Sequence, residues 1–419
     1  MRKPSSLLVL LAFLAACSTA PLQDEDGLAV SPEDITEVTL FDVPPLSALP
    51  DTAPRPLKGS YRAVPWADLP GWSADGLDQV WKAFINNCRG LMRPTSGALA
   101  LPARAAPRVW QPVCRRALDD GLDKDPAAVR EFLQGHLRPW RLEGPGGLVT
   151  GYYEPLIRAS RTRQGDYQWP LYAVPDDLLT IDLGAVYPEL AGKRVRGKLQ
   201  GRRVVPYDTR AQIDAHPDRQ PPAIVWADDP IEAFFLQIQG SGRVRLPDGS
   251  TIRLAYADHN GRPYASIGQW LAQQGEMPLA QASMQNIKAW ARRHPERLGE
   301  LLSVNPAMVF FRAETIVDPE LGPRGAYGVP LIGQRAVAVD ADYVPLGTPL
   351  FLATQQPGGT GPLQRLVFAQ DTGAAIQGPA RVDFYWGTGD EAGARAGRMK
   401  QKGHVWLLWP VSAGAPTAR

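Results

Sequence analysis

The sequence predicts a mainly β fold with helices, arranged as two domains. Three observations carry this. The chain has 419 residues, enough for two sizeable cores. Its 40 Gly and 41 Pro favour turns and short strands over long helices. Short apolar runs bounded by glycine and proline recur from Leu148 onward, whereas helical spacing is concentrated in the stretches 77–137 and 264–302. Apolar residues make up 44% and charged residues 21%, both ordinary for a globular protein. Lys and Arg number 45 against 43 Asp and Glu, with no basic stripe, which argues against nucleic acid as a partner. The 12 Trp should mostly enter the core, although flat rings also stack on sugar faces.

The first 16 residues read as a targeting segment. Arg2 and Lys3 precede an apolar run, Ser5 to Ala16, that is too short for an ordinary spanning helix. Leu14-Ala15-Ala16-Cys17 matches the bacterial lipobox, and that resemblance implies cleavage before Cys17 and lipid on its thiol. Ser18 rather than Asp follows, and the sorting rule for such lipoproteins then favours the outer membrane, with the protein facing the periplasm. An ordinary signal peptide with an incidental Cys is the competing reading. Residues 17–60, rich in Pro, Asp, Leu and Ser, read as a lipidated tether with one strand at Thr36 to Phe41.

Beyond the tether, Ser73 is the expected N-cap of a helix whose buried face is Leu77, Val80, Trp81, Phe84 and Cys88. Cys114 begins a second helical stretch. Once Cys17 is lipidated, Cys88 and Cys114 are the two remaining thiols, and in an oxidising envelope compartment they are expected to form one disulfide. Neither has a Cys or His at ligand spacing, which disfavours a metal site. Asp125 and Pro126 open a third helix running to Leu137. Leu148 to Pro155 reads as a strand, as does the segment at Trp169 to Tyr172. Tyr207-Asp208-Thr209 and Asp229-Pro230 each start a short helix. Phe235 to Leu246 and Thr251 to Tyr256 read as a hairpin turning at Pro247-Asp248-Gly249. Helical period returns from Tyr264 to Leu302. Val309 to Arg312, Arg335 to Val339 and Val405 to Val411 read as strands.

No zinc-type HExxH, serine-elbow GxSxG or phosphate-loop GxxxxGK[ST] pattern occurs, and Gly240-Ser241-Gly242 and Gly387-Thr388-Gly389 are weak as phosphate loops. Carboxylate chemistry remains. Asp340, Asp371 and Asp383 each sit at or beside a strand, where Asp is disfavoured unless something offsets it. Taken singly, each reads most simply as a partner for turn amides; three in one short region call for more. Asp383 lies among Val382, Phe384, Tyr385 and Trp386, a setting that raises a carboxyl pKa and lets it hold a proton near neutrality.

Asp340 followed by VPLGT, Asp371-Thr372-Gly373 with Ala375-Ile376, and Asp383 in VDFYWG resemble the three-aspartate (3D) domain. With GYYEP, IQGSG, Tyr264-Ala265-Ser266-Ile267-Gly268, Asn305-Pro306 and GDEAGARAGRM, the chain from about Gly151 to Pro410 is similar to the membrane-bound lytic murein transglycosylase A family. The resemblance implies a double-psi β-barrel domain, a smaller β-rich domain inserted in it, and a glycan groove between the two. On that pattern the barrel takes 61–160, with the helices at its start, and 303–412; the insert takes 161–302. The resemblance also makes Asp383 the catalytic acid/base and places Asp371, twelve residues earlier, and Asp340 in support. Tyr153, Glu154, Gln239, Ser241, Asn260, Tyr264 and Trp386 become candidate substrate contacts, each with a structural role as the competing reading. Glu154 is in addition the main rival acid. No cofactor or metal is implied. The implied partners are peptidoglycan glycan strands, the outer membrane through the lipid, and a cell-wall enzyme complex, with the chain itself a monomer. The implied reaction cleaves the bond between N-acetylmuramic acid and N-acetylglucosamine without water. A muramidase-type hydrolase and a non-catalytic glycan-binding lipoprotein stay open as alternatives.

Overall fold

The computed structural model describes residues 57–92 and 107–417, apart from 122, 145, 182, 184–185, 188–194 and 374. The signal segment, the lipobox with Cys17, and the strand expected at Thr36 to Phe41 lie outside the described residues. The chain opens with β1 (Tyr61–Ala63), α1 (Leu77–Met92), α2 (Pro107–Asp119), α3 (Pro126–His136), β2 (Leu137–Leu142) and β3 (Gly147–Glu154). A middle stretch follows with β4 (Leu156–Ser160), β5 (Trp169–Tyr172), β6 (Leu179–Ile181), β7 (Val195–Gln200), β8 (Arg203–Pro206), α4 (Arg210–Ala215), β9 (Ala223–Ala227), α5 (Pro230–Gln239), β10 (Gly242–Arg245), β11 (Thr251–His259), α6 (Ile267–Gln273), α7 (Met284–Arg293), α8 (Leu298–Ser303) and β12 (Val309–Thr315). The last part holds β13 (Ala336–Val339), β14 (Pro349–Gln355), β15 (Pro362–Asp371), β16 (Val382–Thr388), α9 (Gly389–Arg398) and β17 (Lys400–Pro410). The class is mixed α and β, with more strand than helix.

Two sheets organise these elements. The first runs β1-β2-β17-β14-β15-β13-β16-β3, and a further β17–β3 pairing closes its last six strands into a barrel. Its core is apolar: Phe351, Leu352, Leu366, Val367, Phe368 and Phe384 are all buried. The second runs β12-β11-β10-β4-β9-β5, and Ala173, just past β5, bridges Phe311 of β12. This sheet takes strands between Leu156 and Thr315, a wider span than 161–302, because β4 pairs with β10 and β12 pairs with β11. A smaller sheet, β6-β7-β8, stands beside it.

Local chemistry explains the helix starts. The Asp125 carboxylate accepts from the amides of Ala127 at 2.9 Å and Ala128 at 3.0 Å, capping α3. Thr209 and Gln212 form a reciprocal capping box on α4. Ser73 does not cap α1; it lies in a one-turn 3-10 helix, Trp72–Ala74. Phe235 to Gln239 is also not strand. Asp229 caps α5, Ile231, Phe234 and Phe235 are buried at helical spacing, and Gly240 ends the helix at φ 81°. The hairpin is therefore shorter, Gly242 to Arg245 against Thr251 to Leu254. Gly242 lets helix and strand meet, since a Cβ there would lie 2.4 Å from Leu236.

The N-terminal helices seal the barrel. Trp81 packs edge-on against Phe132 at 4.9 Å, and Trp110 against Trp409 at 5.9 Å. Cys88 of α1 and Cys114 of α2 are joined by a disulfide. Among the described residues, no helix is long and apolar enough to cross a membrane, and no group of three or more His, Cys, Asp and Glu is placed to hold a metal ion.

Candidate active site

The barrel sheet places the site residues in one transverse row. Asp383 of β16 stands opposite Ala338 of β13, and Asp371 of β15 stands opposite the same Ala338 on its other side. On the far side of β16, Asp383 is paired with Thr150 of β3, and Thr150 in turn with Lys400 of β17. Residues paired directly across strands share a face, so one small residue separates the two aspartates. A bulge sets this up. Val337 pairs with Ala369 and Ala338 with Asp371, so Gln370 is left out of the ladder. Without that extra residue the alternation of β15 would turn Asp371 to the opposite face. Gln370 points inward instead and donates to Asn87 Oδ1 at 3.0 Å.

The two aspartates have different surroundings. Thr150 Oγ1 donates to Asp383 Oδ1 at 2.6 Å, and among the described residues none donates to Oδ2. Burial pushes the Asp383 carboxyl up to about 6; the Thr150 hydrogen bond and the Arg381 charge oppose this, and the Asp371 charge adds a smaller upward push. Asp371 is engaged at both oxygens. Oδ1 accepts from the amides of Ala326 and Thr372, both at 2.9 Å, and Oδ2 accepts from Tyr152 Oη at 3.0 Å. Burial pushes its carboxyl up as well, opposed by those three donors. Asp340 lies just past β13 and binds backbone: Oδ1 accepts from Asp342 N at 3.0 Å and Oδ2 from Gly378 N at 2.7 Å. It thereby holds the turn that leads from Asp371 to Asp383.

The other expected contacts divide. Glu154 is fully buried, with Arg243 Nε at 2.8 Å, Arg253 Nε at 2.5 Å and Thr388 Oγ1 at 3.1 Å. Its burial and these donors make it a structural hub that ties the two sheets together. Asn260 is likewise buried and spent on backbone: Nδ2 donates to Asp208 O and Pro306 O, while Oδ1 accepts from Met308 N and Arg262 N. Tyr153 belongs to the core, its hydroxyl on Met284 Sδ at 3.7 Å and its ring against Gly393, where a Cβ would come within 2.7 Å. Trp386 is buried too, with Nε1 on Met399 Sδ at 3.2 Å and the ring edge-on to Phe384 at 4.9 Å. All four are buried and packed or hydrogen-bonded within the protein. Ser241 is buried beside α5. Gln239 is half-buried and accepts from Tyr153 N at 3.2 Å, tying α5 to β3. Tyr264 is 51% exposed.

Sequence reasoning missed Thr150, Tyr152 and Arg381. Thr150 and Tyr152 alternate on the same face of β3, next to Asp383, and Tyr152 reaches Asp371; Tyr153 takes the opposite face. Strand alternation separates the two tyrosines once Thr150 is known to pair with Asp383.

The chain resembles known proteins over most of its length. Residues 148–312 match the MltA specific insert domain, and residues 335–409 match the 3D domain. Membrane-bound lytic murein transglycosylase A of Escherichia coli K12 is 33% identical over 291 residues, which is 67% of this chain and 71% of that protein. The crystal structure of MltA from Neisseria gonorrhoeae superposes with a TM-score of 0.72 at 36% identity, covering 90% of this chain and 99% of that one. E. coli MltA with bound chitohexaose superposes at 0.59 with 28% identity, over 85% of this chain and 96% of that one. With both matched regions in order along the chain and a relative 33% identical over two thirds of it, the chain belongs to the MltA family of lytic murein transglycosylases.

Proposed function

We propose that this chain cleaves the β-1,4 bond between N-acetylmuramic acid and N-acetylglucosamine in peptidoglycan and leaves a 1,6-anhydro end, with Asp383 as the single general acid and then base. The observation that carries this is the asymmetry of the row. Among the described residues none donates to Asp383 Oδ2, and burial lifts its carboxyl to about 6, whereas Asp371 already accepts three hydrogen bonds. Asp383 Oδ2–H gives its proton to the glycosidic oxygen as the bond to C1 breaks. The carboxylate then takes the proton from the C6 hydroxyl, whose oxygen bonds C1. The nucleophile belongs to the substrate, so the protein's main task is to hold the ring with O6 near C1, where intramolecular attack has a high effective molarity. A hydrolase would need a second carboxylate to activate water, and the donors on Asp371 argue against that role.

On this reading the first sheet is the double-psi barrel, the second sheet is the insert, and the glycan strand lies between them, touching Tyr264 and Gln239. Asp340 and Asp371 support Asp383. Cys17 carries the lipid, so the enzyme works from the outer membrane into the periplasm as a monomer, without a cofactor. Digestion of purified sacculi by the detergent-solubilised protein tests this. Disaccharide-peptides lighter by one water than muramidase products support it, products at the hydrated mass establish a hydrolase, and no release at all establishes a binder. Asp383→Asn should abolish release; near-normal turnover in that variant would sink the assignment.

A further inference from the structure

Arg381 sits immediately before β16, two residues from Asp383, and nothing in the reaction as described uses it. Its Nη1 donates to Thr150 Oγ1 at 2.9 Å, to Val382 O at 2.8 Å and to Leu148 O at 3.2 Å. Two carbonyls at the ends of adjacent strands thus aim the guanidinium at one hydroxyl. A guanidinium has donors only. It therefore occupies a lone pair of Thr150 Oγ1 and turns the hydroxyl proton away from itself, toward Asp383 Oδ1 at 2.6 Å.

We propose that Arg381 is a positioning residue which, acting through the Thr150 hydroxyl, decides which oxygen of Asp383 carries the catalytic proton. A hydroxyl is a free rotor and either donates or accepts. Were Thr150 free to accept, the protonated carboxyl would settle with its proton on Oδ1, pointed at Thr150 and useless to the substrate. With Arg381 in place Oδ1 is the acceptor in both protonation states, and the proton rides on Oδ2. The same two groups hold the carboxyl pKa down against burial. The charged and titratable neighbours of Asp383 are Arg381 at the head of β16, Tyr152 on β3 and Asp371 on β15; β13 presents only Ala338, and Lys400 of β17 stands one strand further on, beyond Thr150.

This inference rests on Asp383 being the acid, and the test separates the two. The activity to follow is kcat and KM for release of anhydro ends by the full chain in detergent, across pH, for Arg381→Met, Thr150→Val, Thr150→Ser and Arg381→Met/Thr150→Val. Arg381→Met and Thr150→Val should each lower kcat about tenfold with KM within about twofold, the signature of an interaction made only in the transition state. Each should also move the alkaline limb of kcat/KM upward, because each removes a group that favours the carboxylate. Thr150→Ser should restore both. In the Thr150→Val background, Arg381→Met should lower kcat by less than about twofold more, since residues acting through one contact are not additive. Equal losses from Arg381→Met in both backgrounds, or limbs that stay where they are while activity falls, would overturn the proposal and leave the pair as plain scaffold. Thr150→Ser keeps the hydroxyl without the methyl and Thr150→Val keeps the β-branched shape without the hydroxyl, so together they separate loss of the hydrogen bond from a packing defect. Should Asp383→Asn turn over normally, it is the acid assignment that fails; an inactive Asp383→Asn with unmoved limbs in the other variants removes the relay alone.

Discussion

Replacing Glu154 by Gln should cost stability and leave the chemistry standing. Glu154 ends β3 of the barrel and receives Arg243 from β10 and Arg253 from β11, both of the second sheet. Those arginines reach on to the carbonyls of Pro319 and Leu321, at 2.5 to 3.1 Å. Glutamine keeps the shape and one acceptor oxygen but leaves two buried guanidinium groups with no counter-charge. Removing one partner of a buried ion pair costs about 3–5 kcal/mol, and the surviving acceptor and the two carbonyls place this case near the lower end, about 3 kcal/mol. At about 2.1 cal/mol/K of unfolding entropy per residue over roughly 350 folded residues, that lowers the melting temperature by about 4 °C. Differential scanning calorimetry at pH 7, paired with turnover of sacculi at 25 °C, reads both quantities. A melting point within about 1 °C of the parent would refute the hub argument. A variant that melts normally yet loses turnover about a thousandfold would make Glu154 the acid in place of Asp383.

Other consequences are as direct. Asp383 holds a folded pKa of about 6, above its unfolded value, so its contribution to stability is full below about pH 4 and is lost as pH rises through 6. Asp383→Asn should therefore melt higher than the parent at pH 8, by about 1–2 kcal/mol, with the gap closing at pH 4; and parent kcat/KM should fall on the alkaline side of about pH 6. Tyr264→Ala should raise KM several-fold at unchanged melting temperature, while Trp386→Ala should cost about 3–5 kcal/mol by opening a cavity, visible as a lower urea midpoint. A KM effect of Trp386→Phe larger than that of Tyr264→Ala would reverse the two roles. Loss of the Cys88–Cys114 bridge, whose ends lie 26 residues apart, should cost about 3–4 kcal/mol, measured by urea unfolding of the double alanine variant.

What could be read from the chain depended on the range of the interaction. The Asp125-Pro126 start of α3 and the Asp248-Gly249 turn are chemistry among near neighbours, and both stand in the structure. Phe235 to Gln239 fits a strand or a buried helix equally by apolar content, and only the caps at Asp229 and Gly240 decide it. Glu154 was ambiguous for another reason: its arginines lie 89 and 99 residues away, and no spacing reveals them. The GYYEP motif shows two rings and no face, so it does not distinguish Tyr152 from Tyr153. The face follows from β3 pairing with β16, more than 200 residues distant in the chain.

On the proposed mechanism, the Gln370 bulge explains why two aspartates in one row do not become a conventional glycosidase pair. It turns Asp371 onto the face of Asp383, but at the end of β15, where the amides of Ala326 and Thr372 are waiting and Tyr152 closes over the second oxygen. Asp383 sits at the start of β16, between Ala338 and Thr150, with one donor on Oδ1 and, among the described residues, none on Oδ2. Neighbouring carboxyl groups take different roles when their surroundings differ in this way. Had Asp371 been left with a free oxygen facing Asp383, the row would offer both an acid and a base for water. Three donors engage Asp371 instead, and the proposed chemistry is accordingly one that a single proton carrier can complete. Breaking a glycosidic bond with one carboxyl requires the nucleophile to come with the substrate, and a muramic acid residue brings it as the hydroxyl on C6.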